Sequence, residues 1–241
     1  ANDKDMKGGV TVLGSFKGDQ EKVINETKHE VELILKASGI TQAKSLLDLG
    51  CGDGRQLMHL CPHFEHVVGV DFSPKLLDIA KRRIHEVGCE AELHEGDVST
   101  FRTDEKFDVL LLSGIVPCLD DVQMQQMLAN LNAMAKPNAV LLVRSSIALA
   151  ERINVVNQFS EELKSRYTAF YRTIPEIADD FTRIGWKLKQ HNQLYQHRPD
   201  TAVWWFEFER AAVHAPHVTF GNGLEKVSAS VTRNVSETFR D

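Results

Sequence analysis

An apolar stretch that runs directly into three alternating glycines constrains this chain more than any other feature. Residues 45–55 read Ser-Leu-Leu-Asp-Leu-Gly-Cys-Gly-Asp-Gly-Arg. The apolar part predicts a buried strand, and glycines let the backbone turn sharply and approach a ligand without a Cβ atom in the way. About twenty residues later a second apolar strand, His66-Val-Val-Gly-Val-Asp71, ends in an acid placed to accept hydrogen bonds from ribose hydroxyls. The pattern is typical of a nucleoside-binding βαβ unit.

The spacing of the glycines limits which nucleoside ligands this turn could bind. Dinucleotide sites use Gly-x-Gly-x-x-Gly, whereas here Gly50, Gly52 and Gly54 alternate and Arg55 stands where the third glycine would be. The lysine of a Walker A phosphate loop is also missing from this turn. Asp48 at the strand end would repel a pyrophosphate, but it suits a cationic ligand such as an amino-acid ammonium group.

Four motifs, in order and at ordinary spacing, resemble those of the class I S-adenosylmethionine-dependent methyltransferases that act on small molecules. Residues 46–54 resemble the glycine-rich first motif, with Cys51 as a small residue inside the loop. Residues 67–74 resemble the second motif, which implies Asp71 on the ribose and Phe72 beside the adenine.

The third and fourth motifs complete the resemblance, which covers residues 42–145 well. Residues 95–98 resemble the third motif, where Asp97 would accept from the adenine amino group. Residues 107–115 resemble the fourth strand, with Ser113 and Gly114 near the methionine portion. The cofactor implied is S-adenosyl-L-methionine, and the residues expected to bind it are Asp48, Gly50, Cys51, Gly52, Gly54, Arg55, Asp71, Phe72, Asp97, Val98, Ser113 and Gly114.

The alternation of predicted strands and helices favours an α/β fold with a mainly parallel sheet and helices on both faces. The resemblance implies a Rossmann-like seven-stranded sheet that closes with an antiparallel hairpin. Lys136-Pro137-Asn138 predicts a break before the fifth strand. The predicted helices span residues 19–37, 54–62, 74–87, 121–135, 148–172 and 174–184, and the predicted strands 44–49, 66–71, 89–94, 107–113, 138–145, 186–195 and 202–208.

We expect one methyltransferase domain over residues 1–215. Its cofactor half spans about 40–146, and substrate-side additions span about 1–38 and 148–200. Residues 216–241 form an extension of uncertain structure: an oligomerising arm, a link to a neighbouring domain, or a disordered tail.

Composition limits the class of partner. The net charge of −6 argues against a protein that follows nucleic-acid phosphates. No run approaches the ~20 apolar residues of a membrane span, and no charged-then-apolar leader opens the sequence. The four cysteines have neither metal-site nor disulfide spacing, which predicts a cytoplasmic protein with reduced thiols and no metal site.

The sequence says less about the residues that bind the methyl acceptor than about those that bind the cofactor. Residues 164–198 hold seven Lys or Arg against three acids, a local charge of +4 that fits an anionic small molecule as well as the more ordinary interpretation, solvated charges on a helix face. Tyr171 and Arg172 precede the penultimate helix, a junction that lines the substrate cavity in similar enzymes. We expect Arg172 to anchor an anionic group and Tyr171 to help place the nucleophile. Residues 116–118 offer no base, so His191 and His197, in or beside the closing hairpin, are the remaining candidate imidazoles. For each of them the ordinary interpretation is a surface strand residue, and we take His191 as the candidate base.

Three classes of function remain open. The leading one is methyl transfer to an oxygen or nitrogen of a small, anionic molecule by in-line displacement. The second is the same fold used for aminopropyl transfer or for regulation by the bound cofactor. The third, a nicotinamide-dependent oxidoreductase, is disfavoured by Arg55 at the third-glycine position. An extension at residues 216–241 leaves room for a homo-oligomer or a neighbouring domain.

Overall fold

Strands form the centre of the structure, a computed structural model that describes residues 20–39, 44–161, 163–196 and 198–210. Within these ranges seven strands make one sheet and two more make a separate hairpin. The strands of the sheet are β1 (Ser45–Leu49), β2 (His66–Asp71), β3 (Glu92–Glu95), β4 (Phe107–Ser113), β5 (Ala135–Ala148), β8 (Trp186–Gln196) and β9 (Thr201–Arg210), and those of the hairpin are β6 (Ile153–Ser160) and β7 (Ser165–Tyr171).

The order of the sheet within the described ranges is β3-β2-β1-β4-β5-β9-β8. Strands β1 to β5 are parallel, and β9 is antiparallel to both of its neighbours. The predicted seven-stranded sheet with its closing hairpin is confirmed. The chain moves outward from β1 to β3 and then returns to β4 on the other side of β1. Ligands of open α/β sheets bind at such a reversal, beyond the carboxyl ends of the strands.

Helices cover both faces because adjacent residues of each buried strand point to opposite sides. Leu46 packs in one core with Ile34, while Leu47 packs in the other with Phe181. The first face carries α1 (Gln20–Ser38), α2 (Leu57–Leu60) and α3 (Pro74–Glu86), and the second carries α4 (Asp121–Leu131) and α5 (Ile174–Arg183).

Side-chain caps determine where three of the helices begin. The Ser73 hydroxyl accepts from the Leu76 N–H of α3, which starts three residues after the end of β2. Asp120 and Thr173 each form a reciprocal capping box at the start of α4 and α5. Such caps stabilise a helix by about 1 kcal/mol each. They keep the loops at the carboxyl edge short.

The helix predicted over residues 148–172 is wrong, because this segment forms the β6–β7 hairpin. Burial alternates along β7, with Ala169 and Tyr171 buried beside Val155 of β6 and Ala148 at the end of β5. β-Branched and aromatic residues suit a pleated surface better than a helix. The hairpin leaves the carboxyl end of β5 and therefore lies at the edge where ligands bind.

The break predicted at Lys136-Pro137-Asn138 lies inside β5 instead. The pairing of β4 with β5 shifts register between Phe107 and Val109, and this irregularity lets the strand pass the proline. Strand β3 starts at Glu92, three residues later than predicted. In the described part of the chain, we find no helix with the length and apolar character needed to cross a membrane.

Candidate active site

The glycine loop follows β1 and has its three glycines in the left-handed region. The φ angles of Gly50, Gly52 and Gly54 are +87°, +56° and +71°. A Cβ on Gly54 would lie 2.7 Å from that of Ala80, so this glycine lets α3 approach. A Cβ on Gly52 would meet no atom within 4 Å. The loop therefore packs on the protein at Gly54 and faces open space at Gly52, as a ligand-cradling turn requires.

Asp71 joins the end of β2 to this loop. Its carboxylate accepts from the Gly52 N–H at 2.9 Å through Oδ2 and from the Ser73 N–H at 2.9 Å through Oδ1. Burial raises the pKa of this carboxyl above its usual value, against the lowering effect of the two N–H donors. The next side chain, Phe72, is 57% exposed, although it is large and apolar. The pair offers a hydrogen-bond acceptor and an aromatic surface, which suit a ribose and an adenine.

Asp48 lies near the carboxyl end of β1 and is 2% exposed. Its Oδ1 atom has no hydrogen-bond partner among the described residues. Burial, and next the charge of Asp71, raise the pKa of Asp48 to about 7, while the charge of Arg55 lowers it. A buried carboxylate without a partner is costly, and a cation would relieve that cost. The site therefore fits the ammonium group of S-adenosylmethionine.

The remaining cofactor motifs lie at the ends of the neighbouring strands. Asp97 follows β3 and is exposed, with its Oδ1 held by the N–H of Ser99 at 2.8 Å and the hydroxyl of Ser99 at 2.7 Å. Val98 beside it is buried in the core. Ser113 ends β4, and Gly114 adopts a φ of +77° while its N–H donates to a carbonyl of β5. The four predicted motifs thus meet at one edge of the sheet.

Two residues of the glycine loop have roles that differ from the expected cofactor contact. Cys51 is buried, and burial raises the pKa of its thiol, so the side chain fills space beside Gly69. The guanidinium of Arg55 turns away to α1, where it donates to the Thr27 hydroxyl and, at 3.3 Å, to Glu30. The sequence motif could not reveal this partner because α1 lies in a distant part of the chain.

Arg172 contradicts the expectation of an anion anchor. The residue is 2% exposed, and its guanidinium donates to the carbonyls of Val116 at 3.2 Å and Leu119 at 3.1 Å. It also contacts the Asp120 carbonyl and, at 2.9 Å, the Asp121 carboxylate. These bonds fix the loop between β4 and α4. Arg172 therefore supports the loop between β4 and α4, and its hydrogen-bond donors are directed to this loop.

Tyr171, the residue expected to help place the nucleophile, is the last residue of β7. Its ring is buried, and its hydroxyl interacts with Arg198 in the turn between β8 and β9. Burial raises the pKa of this phenol more than Arg198 lowers it, and Cys118 in the loop after β4 is close enough to act on it. Arg198 also donates to the Tyr167 hydroxyl at 3.5 Å. The local charge count included Arg198, but only the hairpin topology brings it to these two tyrosines.

His191 lies away from this cluster. It occupies the middle of β8, where its ring packs 5.4 Å from the ring of Trp204 and 5.9 Å from that of Phe206. Strand β8 is three strands from β4, or about 14 Å across the sheet. The imidazole is therefore poorly placed to act as the base. Across the described ranges, no group of three or more His, Cys, Asp or Glu is arranged to hold a metal ion.

Comparison with known proteins agrees with this geometry. A family model described as a methyltransferase domain matches residues 46–138. A dTDP-3-amino-3,6-dideoxy-alpha-D-glucopyranose N,N-dimethyltransferase of Streptomyces fradiae is 33% identical over 104 residues, which cover 42% of this chain and 39% of that enzyme. A ubiquinone biosynthesis O-methyltransferase of Coxiella burnetii (strain Dugway 5J108-111) is 30% identical over 101 residues, 42% of each. The chain thus spans about two fifths of the length of these relatives.

Solved structures extend the likeness beyond the glycine loop. The Burkholderia thailandensis 1,6-didemethyltoxoflavin-N1-methyltransferase, solved with its substrate and S-adenosylhomocysteine, superposes with a TM-score of 0.63 at 16% identity. The match covers 77% of this chain and 78% of that one. At this identity the likeness establishes the fold.

Proposed function

We propose that the chain carries a class I S-adenosylmethionine-dependent methyltransferase domain and that it transfers a methyl group to an oxygen or nitrogen of a small-molecule acceptor. One observation carries the proposal: the buried Oδ1 atom of Asp48, which has no partner among the described residues, lies in the strand that leads to the open side of Gly52. A pyrophosphate would be repelled by that carboxylate, whereas an amino-acid ammonium would neutralise it.

Four side chains each recognise a different part of the cofactor. Asp48 holds the ammonium group, and Asp71 accepts from the ribose hydroxyls while its backbone donors keep it oriented. Phe72 covers the adenine, and Asp97 accepts from the adenine amino group. Ser113 and Gly114 line the methionine portion at the end of β4.

The chemistry needs alignment more than it needs a strong base. When bound, S-adenosylmethionine supplies a methyl group on a sulfonium, which is already an electrophile. The protein has to hold the acceptor atom in line with the bond that breaks, and such positioning is worth ~7–11 kcal/mol. Tyr171 stays protonated near neutral pH because its pKa is raised, so its hydroxyl can orient the acceptor by hydrogen bonding but not remove a proton.

Nitrogen is the acceptor atom to test first. The Streptomyces fradiae relative is an N,N-dimethyltransferase of an amino-sugar nucleotide, and an uncharged amine brings its own lone pair without a base. The position of Arg198 beside the hydroxyls of Tyr167 and Tyr171 also supports an acceptor with an anionic part. The acceptor class we propose is an amine on a phosphorylated or carboxylated small molecule.

Two measurements test the function. Calorimetry should find S-adenosylmethionine and S-adenosylhomocysteine bound at micromolar strength, with no binding of NAD or ATP. Transfer of a labelled methyl group should then be followed over a panel of amino-sugar nucleotides, amino acids and phenols. Tight NAD binding without a response to S-adenosylhomocysteine would overturn the proposal. Consumption of decarboxylated S-adenosylmethionine, with an aminopropyl product and no methyl product, would favour the alternative chemistry.

We also infer the setting in which the domain works. The absence of metal and disulfide spacing among the four cysteines supports reduced thiols and a cytoplasmic location. Residues 1–215 act as one methyltransferase unit, and residues 216–241, which lie outside the described ranges, serve an oligomer or a neighbouring domain. Light scattering of the chain with and without residues 216–241 tests the second point. An unchanged number of subunits would remove the oligomerising role.

A further inference from the structure

Glu30 of α1 is the centre of a buried ionic network. Its side chain is 1% exposed, and its Oε1 accepts from Arg144 Nε of β5 at 2.6 Å. Its Oε2 accepts from Gln56 Nε2 at 2.8 Å and from Arg55 Nη2 at 3.3 Å. Arg144 also donates to the Tyr195 hydroxyl of β8. One carboxylate thus joins the first helix, the exit of the glycine loop and the sheet.

Arg55 interacts with two carboxylates that differ in their hydrogen bonding. It contacts Glu30, yet it is also close enough to Asp48 that its charge lowers the pKa of that carboxyl. Asp48 Oδ1 has no hydrogen bond, while Glu30 receives three side-chain donors. A guanidinium stays charged at any ordinary pH and forms its strongest pairs with buried carboxylates. If Arg55 were released from α1, its guanidinium could pair with the unpartnered oxygen of Asp48.

We propose that Glu30, with Thr27, holds Arg55 on α1 and thereby keeps Asp48 open for the ammonium group of the cofactor. The inference rests on the proposed function, because it takes Asp48 as the ammonium acceptor. Glu30 is a positioning residue: it acts on the cofactor through Arg55 and Asp48. Docking of α1 and binding of the cofactor are therefore coupled, although α1 lies outside the four cofactor motifs.

The size of the effect follows from competition. A ligand that must displace Arg55 from Asp48 binds only the fraction of molecules in which Asp48 is open, and its apparent dissociation constant rises by the inverse of that fraction. This increase in the apparent dissociation constant applies only to ligands with an ammonium group. Methylthioadenosine keeps the adenosine and the thioether but lacks the amino-acid part. Its affinity should therefore not depend on the position of Arg55.

The test compares S-adenosylhomocysteine with methylthioadenosine by calorimetry at pH 8, where Asp48 is largely ionised. The variants are Glu30→Gln, Arg55→Gln and the double variant, with Glu32→Gln on the exposed side of α1 as the matched control. Glu30→Gln should weaken S-adenosylhomocysteine about tenfold while methylthioadenosine stays within about twofold. The double variant should recover most of the affinity, because the competing cation is gone. Arg55→Gln and Glu32→Gln alone should bind like the parent.

Several results would overturn the inference. These are equal weakening of both ligands by Glu30→Gln, no recovery in the double variant, or loss of affinity in Arg55→Gln alone. If Glu30→Gln does not fold, Thr27→Val tests the same point, since it removes one contact of Arg55 and leaves Glu30 with Arg144. Thr27→Val should weaken the binding of S-adenosylhomocysteine but not that of methylthioadenosine. Adding Arg55→Gln to Thr27→Val should restore the affinity for S-adenosylhomocysteine. A parent protein that fails to bind S-adenosylhomocysteine would overturn the proposed function itself.

Discussion

Gly54 packs so closely against Ala80 that there is no room for a side chain at position 54. A Cβ on Gly54 would lie 2.7 Å from the Cβ of Ala80. Gly52, two residues earlier, has the same left-handed backbone but faces open space. Gly54 therefore serves the packing of α3, whereas Gly52 leaves space that a ligand could fill.

Alanine substitutions should separate these two roles. Gly54→Ala combines left-handed strain with overpacking and should lower the free energy of unfolding by about 2–4 kcal/mol. Gly52→Ala should cost only the strain, about 1–2 kcal/mol, but it should weaken S-adenosylhomocysteine, and Gly52→Val should weaken it further. Urea unfolding and calorimetry measure the two effects. Equal stability losses with unchanged binding in both variants would make the loop a structural turn only.

Asp71→Ala should weaken cofactor binding by ~1.5–3 kcal/mol, because it removes a charged acceptor from the ribose hydroxyls. Since Asp71 also receives the N–H groups of Gly52 and Ser73, part of the loss comes from the loop itself. Asp71→Asn keeps one side-chain oxygen for those donors and should lose less. Titration with adenosine tests the assignment to the ribose, because that ligand should be affected as strongly as S-adenosylhomocysteine.

Cofactor binding should weaken in acid through Asp48. Its pKa of about 7 means that the carboxyl takes up a proton as pH falls through neutrality, and the neutral form no longer attracts an ammonium group. Affinity for S-adenosylhomocysteine should then fall by up to about tenfold per pH unit below pH 7. Asp48→Asn should bind weakly and lose this dependence.

The same carboxyl affects the ligand-free fold in the opposite sense. A folded-state pKa above the value of 3.8 means that the fold holds a proton which the unfolded chain releases, so Asp48 costs stability increasingly as pH rises from about 4 to 7. Asp48→Asn should therefore unfold at higher urea than the parent at pH 8. An equal or lower midpoint would mean that the carboxyl has a partner in solution.

Arg172→Ala should lower stability by at least about 1–3 kcal/mol, because it leaves the carbonyls of Val116, Leu119 and Asp120 without their buried donor. Arg152→Ala is the matched control: Arg152 also pairs with Asp121 but is 26% exposed, and its loss should stay within about 1 kcal/mol. Thermal melts compare the two variants. A stable Arg172→Ala protein with a raised KM for its acceptor would restore the anion-anchor role.

The cofactor half could be predicted from the sequence because its signals are local. Strand, glycine loop and acid follow one another within about thirty residues, as in other βαβ units. The partners of Arg55 and Arg172 could not be predicted in this way. Glu30 and Leu119 lie 25 and 53 residues from them, and only the packed sheet brings each pair together.

The β6–β7 hairpin was missed for a different reason. A bulge interrupts the pairing of its two strands between Val155 and Gln158, so the period-two alternation does not run through the whole segment. Arg198 was seen as a charge but not as a site residue, because its neighbours Tyr167 and Tyr171 belong to that unrecognised hairpin.

The hairpin has a small core of its own, in which Val155, Ala169 and Tyr171 pack on Ala148 at the end of β5. None of these residues belongs to the glycine loop or to the strands that carry Asp48 and Asp71. Residues 153–171 therefore form an insertion that packs largely apart from the cofactor motifs. A lineage that keeps the cofactor half unchanged could acquire new acceptors by replacing this one insertion.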